Sequence, residues 1–184
     1  MSDGTAGPLR VAFVPGVTPG KWERIWKDRM RRVRLELTLV DESDQVSVLH
    51  DGRADMSFVR LPVEREGLHL IPLYRERPVV VVPREHPVTA YDEVTFADLA
   101  GEIVLDSPDL TVRQAVETAA AGTGVVLVPM SVARLHHRKD VEYRPVSDLP
   151  ETQIGLAWRT DLDDDRVQTF IGIVRGRSAN SSRR

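Results

Sequence analysis

The chain has 184 residues, of which 41% are hydrophobic and 29% are charged, and its formal net charge is −3. This composition is typical of a soluble globular protein with room for one ordinary domain or two small lobes. It lacks cysteine, which excludes disulfides, zinc thiolates and thiol catalysis. Without an apolar run of about 18 residues or a signal-peptide pattern, the sequence predicts a cytoplasmic protein that does not contact a membrane.

The first half of the chain predicts alternating strands and helices. Residues 9–14 form an apolar run that predicts a strand, and Thr18 and Pro19 predict the cap and first residue of a helix. A second short helix is expected to begin at Ser43. Four more strands are expected at residues 35–40, 54–62, 68–74 and 77–83. The order of strand, helix and strand predicts a parallel, wound sheet. In the first helix, apolar residues at helical spacing share one face, which predicts that their side chains belong to the core. These residues are Trp22, Ile25, Trp26, Met30 and Val33.

The second half continues with shorter elements. Thr95 should cap a single helical turn, and a helix at residues 112–121 should end at Gly122. Ser131 is expected to open a short helix, and the acidic run at residues 163–165 suits the N-terminus of a last helix. The predicted strands are residues 102–109, 125–129, 141–146 and 152–160.

Motifs for catalysis or metal binding are weak. His136, His137 and Asp140 could suggest a metal site, but neighbouring helical residues point about 100° apart and the HExxH spacing is absent. The sequence has no P-loop, no nucleophile elbow and no dinucleotide fingerprint. A Ser–His–Asp set drawn from distant positions stays open. We therefore predict no metal, no cofactor and no enzyme activity.

Six segments of the chain follow one another in a characteristic order. They are LRVAFV, VRLELTLVDESDQVSVLHDGRADMSFVR, GLHLIPLYRERPVVVVPREHPV, TFADLAGEIVL, AAAGTGVVLVPMSVARL and IGLAWRTD. Within them, the pattern LxxGxxDxxxVR runs from Leu49 to Arg60 with Gly52 and Asp55, and AAGTGVVLVP combines a glycine turn with a strand that ends at proline. In this order, the six segments resemble the effector-binding domain of LysR-type transcriptional regulators.

The resemblance implies an α/β, two-lobed fold of the periplasmic-binding-protein type II kind. Lobe one would comprise residues 8–83 plus 156–176, and lobe two residues 84–155. Residues 1–7 and the basic tail 177–184 would be flexible.

The resemblance also implies a ligand cleft between the two lobes, at the carboxyl ends of strands, where backbone N–H groups suit a small anionic effector such as a carboxylate or phosphate. Asp106 and Asp109 would oppose an anion unless they are turned away. The predicted ligand-binding residues are Val17, Thr18, Arg60, Ser107, Pro129, Met130 and Ser131.

Two departures from the family pattern shape the predicted partners. A helix-turn-helix domain is not seen before Leu9, so we expect no specific DNA binding by this chain alone. Lobe two is shorter than in the family near residues 109–111, either because it is trimmed or because residues are missing there. The usual antiparallel dimer would then lack one of its helices, which predicts a monomer or a non-standard dimer.

Two other functions stay open at this point. One is an enzyme on the same scaffold, which would need an activated nucleophile or a tuned base in the cleft. The other is a ligand-free interaction subunit with a protein partner such as a full-length regulator.

Overall fold

The computed structural model describes residues 7–176. The predicted flexible segments at residues 1–7 and 177–184 lie outside this range, except for Gly7. Short 3₁₀ turns lie at Glu42–Asp44, Pro87–Ala90 and Phe96–Leu99. The strands and helices of the described residues are β1 Leu9–Phe13, α1 Gly20–Arg29, β2 Leu35–Leu39, α2 Ser47–His50, β3 Met56–Arg60, β4 Leu68–Glu76, β5 Pro78–Pro83, α3 Val112–Ala120, β6 Val126–Pro129, α4 Met130–Leu135, β7 Val141–Pro145, β8 Thr152–Arg159 and α5 Asp165–Val174.

The chain divides into two units, and the first contains the residues up to Tyr74 and those from Gln153 onward. Its sheet has the strand order β2-β1-β3-β8-β4. β1 pairs in parallel with β2 and β3, whereas β3 and β8 are antiparallel. The predicted parallel arrangement is thus confirmed for the first three strands. Because they run in the same direction, their carboxyl ends lie at the same edge of the sheet.

Aromatic side chains fill the core of the first unit. Trp22 stacks on Phe58 with ring centroids 4.8 Å apart, and Phe170 contacts both Trp26 and Phe58 edge to face. Trp26 is fully buried, and its indole N–H donates to the carbonyl of Val33 at 2.7 Å. The prediction that Trp22 and Trp26 belong to the core is confirmed.

The helix caps of the first unit agree with the sequence only in part. Asp164 caps α5 as predicted, since its side chain accepts from the backbone N–H of Arg166. Thr18 is not a cap, because α1 begins one residue later and Pro19 occupies the cap position. Ser43 is not a cap either, because it lies inside a 3₁₀ turn and α2 begins only at Ser47.

The second unit comprises Arg75–Thr152 and contains a three-stranded sheet in the order β6-β5-β7. β5 is antiparallel to both neighbours, and its four central valines are buried. The sequence had placed residues up to 83 in lobe one. Of these, residues 75–83 cluster with the second unit, in which β5 pairs with β6 and β7. Residues 153–155 belong to the first unit because β8 pairs with β3.

Glycines set the path of the chain before β6. Gly122 has a positive φ of 84° and ends α3, as predicted. Gly124 lies where a Cβ would come within 2.7 Å of the carbonyl oxygen of Ile103, so only glycine lets the two segments approach this closely. The predicted strand at residues 102–109 is wrong, because only an isolated parallel bridge joins Val104 to Val125. Residues 105–111 contain neither helix nor strand.

Candidate functional site

In the first unit, the carboxyl ends of β1 and β3 meet around the side chain of Arg60. Arg60 is only 6% exposed, and its guanidinium donates to the carbonyl of Pro15 at 3.0 Å and forms an ion pair with Glu42. These contacts fasten the loop after β1 to the end of β3. Arg60, the cation predicted to bind an anionic ligand, is therefore already paired with a carboxylate of the first unit.

Val17 and Thr18 lie in this same loop. Val17 is buried, with its N–H donating to the carbonyl of Val14 at 3.2 Å, while Thr18 is exposed. Because Thr18 does not cap α1, its hydroxyl is not used in the way the sequence suggested. The structure thus brings Val17, Thr18 and Arg60 to a single edge of the first unit.

A buried amide network supports Arg60 from behind. The Gln45 side chain accepts from the backbone N–H of Arg60 at 2.8 Å and donates to its carbonyl at 3.2 Å. Ser57 donates to the Gln45 carbonyl at 2.7 Å. Sequence analysis missed Glu42 and Gln45. The usable signal was the position of Glu42 just after β2, since the end of this parallel strand shares the edge with β1 and β3.

In the second unit, Ser131 is bonded to a buried carboxylate. The Ser131 hydroxyl donates to Oε1 of Glu76 at 2.5 Å, and the Thr152 hydroxyl donates to Oε2 at 2.9 Å. Glu76 is 5% exposed. Ser131 was predicted to open α4, but the helix begins at Met130, so Ser131 lies inside the first turn and does not cap it. Glu76 and Thr152 were not predicted.

The remaining predicted residues surround the end of β6. The Met130 N–H donates to the carbonyl of Arg77 at 2.9 Å, which uses one of the amides that the sequence assigned to a ligand. Pro129 precedes it and ends the strand. Ser107 is exposed in the loop that follows the Val104 bridge. Because this bridge is parallel, Ser107 and Pro129 lie toward the same edge of the second unit.

The histidine pair follows the C-terminal end of α4, where His136 is the cap residue. Burial, and then the charge of Arg113, lowers the pKa of His136. The carboxylate of Asp140 is held by the Arg138 guanidinium at 2.9 Å. Among residues 7–176, no group of three or more histidine, aspartate and glutamate side chains is arranged to hold a metal ion. In the same range, no helix is long and apolar enough to cross a membrane.

Comparison with known proteins connects this geometry to a family. The model of the LysR substrate binding domain matches residues 2–119 and 110–179. The HTH-type transcriptional regulator CatR of Pseudomonas putida is 30% identical over 166 residues, which cover 72% of this chain and 57% of the relative. AlsR of Bacillus subtilis, also an HTH-type transcriptional regulator, is 23% identical over 92% of this chain and 64% of its own length. The chain thus spans about six tenths of these relatives.

Solved structures share the fold at low sequence identity. The BenM effector binding domain with its effector benzoate superposes with a TM-score of 0.80 at 22% identity, covering 92% of this chain and 91% of the BenM chain. The reduced OxyR regulatory domain from Pseudomonas aeruginosa gives a TM-score of 0.74 at 20% identity, with coverages of 93% and 96%. The fold is that of periplasmic-binding-protein type II effector-binding domains, as predicted.

Proposed function

This chain belongs to the LysR substrate-binding domain family, and we propose from that premise that it binds a small anionic metabolite and thereby takes part in transcriptional regulation. The family match carries the proposal. It is supported by the polar side chains that gather at the carboxyl ends of strands in each unit, where α/β proteins bind ligands. CatR and AlsR are transcriptional regulators rather than enzymes, which supports a sensing role over catalysis.

Each unit, taken by itself, presents candidate contacts for such a ligand. In the first, Thr18 offers an exposed hydroxyl, the buried side chain of Val17 anchors the loop next to it, and Arg60 holds that loop. In the second, Ser107, Pro129, Met130 and Ser131 form the contribution around the end of β6. An acid group would accept hydrogen bonds from exposed hydroxyls such as those of Thr18 in the first unit or Ser107 in the second.

A thermal-shift screen of the purified chain against small carboxylates and phosphates tests this function. A ligand present at 100 times its Kd should stabilise the protein by about 2.7 kcal/mol. For a positive ligand, we expect Thr18→Ala and Ser131→Ala to weaken binding and His50→Ala, on the exposed end of α2, to leave it unchanged. If no metabolite acid produces a shift, the proposed function is wrong.

We further propose that the chain acts in the cytoplasm and that, by itself, it lacks sequence-specific affinity for DNA. Its net charge of −3 supports this, because phosphate contacts need a basic surface. Footprinting of a defined operator by the purified chain at physiological salt would contradict it. The function then requires a protein partner, for which a full-length regulator of the same family is our candidate.

The assembly we propose is a monomer or a dimer that does not use the family's antiparallel pairing. The solvent side of α1 and the turn after it carry Lys27, Arg31 and Arg34, which disfavour a like-charged partner, although the pairing of Lys27 with Glu23 and of Arg34 with Glu36 weakens this repulsion. Trp22 and Trp26 are buried inside the first unit and are not offered to a partner. Light scattering at micromolar concentration, followed by a structure of the assembly, tests this proposal.

A further inference from the structure

The carboxylate of Glu76 determines how Ser131 can bond a ligand. The Ser131 hydroxyl lies 2.5 Å from Oε1 of Glu76. This is a short hydrogen bond from a hydroxyl to a carboxylate oxygen. The second oxygen of Glu76 accepts from Thr152 at 2.9 Å. Each oxygen of the Glu76 side chain thus accepts from a hydroxyl donor.

A serine hydroxyl has one proton and two lone pairs. Since the proton of Ser131 is donated to Glu76, only lone pairs remain for a further partner. Ser131 is partly buried in the first turn of α4 and is not enclosed. Toward a ligand it therefore acts as a hydrogen-bond acceptor, which is the opposite of the role that a carboxylate or phosphate needs.

The position of Ser131 is fixed by a second bond beside the first. The Met130 N–H donates to the carbonyl of Arg77, the residue after Glu76. The start of α4 is thus tied to residues 76 and 77 by one side-chain bond and one backbone bond. Rotation of the Ser131 hydroxyl away from Glu76 would give up a short hydrogen bond to a side chain that is only 5% exposed.

We propose that Glu76 is a positioning residue that makes Ser131 an acceptor, so that the effector carries a hydroxyl or amino group as well as its acid group. The effector class is then a hydroxy or amino acid in the chemical sense, rather than a plain acid. This inference rests on the proposed function. Thr152 supplies a matched control, because it bonds the other oxygen of Glu76 and leaves the bond to Ser131 in place.

The test is calorimetric titration with paired acids that differ in one donor group. Suitable pairs are benzoate with each hydroxybenzoate and aminobenzoate, propionate with lactate, and succinate with malate. In at least one pair we expect the member with the donor to bind about tenfold more tightly, the size of one net hydrogen bond at a partly buried site. Ser131→Ala should abolish that preference, and Thr152→Val should retain it.

Glu76→Gln distinguishes a positioning role from a purely structural one. The amide can donate to Ser131, which lets the hydroxyl give its proton to the ligand, so the preference should fall or reverse in favour of the plain acid. If Glu76→Gln does not fold, Ser131→Ala and Thr152→Val still decide the question. Equal binding of both members in every pair overturns this inference and leaves the proposed function standing. If no acid binds at all, both fail together.

Discussion

The two units bury different kinds of side chain. The first packs Trp22, Trp26, Phe58 and Phe170 against one another, whereas the second buries mainly valine and alanine on both faces of a three-stranded sheet. Large aromatic rings bury more area per residue and make directional ring contacts. A single substitution should therefore cost more in the first unit. In the second, stability depends on the close approach of backbone segments.

The same contrast extends to the buried polar groups. The first unit buries a cation, Arg60, and holds it with the partly exposed carboxylate of Glu42. The second buries an anion, Glu76, and holds it with two hydroxyls. In each unit, candidate ligand-contacting side chains already form hydrogen bonds or ion pairs within that unit. The donor and acceptor positions not used in these bonds decide which ligand groups the side chains can bind.

The largest effect should follow from removing an aromatic ring of the first unit. Trp26→Ala deletes a fully buried indole and its bond to Val33, and should lower the free energy of unfolding by about 3–5 kcal/mol. Urea denaturation followed by circular dichroism measures this. Tyr91→Ala, at a ring that is 65% exposed, is the control and should change stability little. A loss below about 1 kcal/mol for Trp26→Ala would contradict the assigned core.

A smaller loss is expected from a single added methyl group in the second unit. Gly124→Ala places a Cβ 2.7 Å from the carbonyl oxygen of Ile103 and should cost about 1–3 kcal/mol, because backbone must move. The matched control in the first unit is Gly172→Ala on α5, where the space is open. There alanine should stabilise the helix by about 0.5–1 kcal/mol. Equal changes in the free energy of unfolding for the two substitutions would contradict this predicted difference between the two units.

The cap of α5 should contribute about 1 kcal/mol, a typical N-cap value. Hydrogen bonds from the Arg166 guanidinium lower the pKa of Asp164. A carboxyl whose pKa is lower in the folded state stabilises the fold above its ordinary pKa of about 4, and this stability is lost as pH falls through the folded value. Asp164→Ala should thus destabilise at pH 7 and much less near pH 2, as measured by thermal unfolding. An equal loss at both pH values would contradict the capping role.

The smallest effect should come from His136 in the second unit. Because burial and Arg113 lower its pKa, the unfolded chain binds a proton more readily than the folded chain below the ordinary pKa of about 6.5. Stability should therefore decrease as pH falls from that value toward the lowered one. His136→Gln should flatten this slope, and His137→Gln, at an exposed position, should leave it unchanged. A slope that survives His136→Gln would show that another group causes it.

The fold could be predicted further than the site. Hydrophobic periodicity and the six family segments identified β1 to β8 and the aromatic core, because these depend on local patterns of apolar residues. The caps at Thr18 and Ser131 were wrong because a helix can begin one residue earlier or later without changing its apolar face. The segment at residues 102–109 was wrong because a strand-like pattern needs a partner, and it finds only the single bridge at Val104.

The site residues could be placed but their bonds could not. Arg60 and Ser131 lie at strand ends as expected, yet Glu42 is 18 residues from Arg60 and Glu76 is 55 residues from Ser131. Glu76 stands between two arginines in the sequence, which gives the pattern of an exposed charge rather than a buried one. Only the folded structure shows which carboxylate accepts a hydrogen bond from which donor. The seven predicted ligand residues therefore stay a prediction.

The most direct test of the account is a backbone amide NMR titration with the tightest-binding acid from the thermal-shift screen. We expect the largest chemical-shift changes at strand-end residues, around Thr18 in the first unit or around Ser107 and Ser131 in the second. Changes that concentrate elsewhere, such as on the basic turn at residues 27–34, with those three amides unmoved, would contradict effector binding at the strand ends.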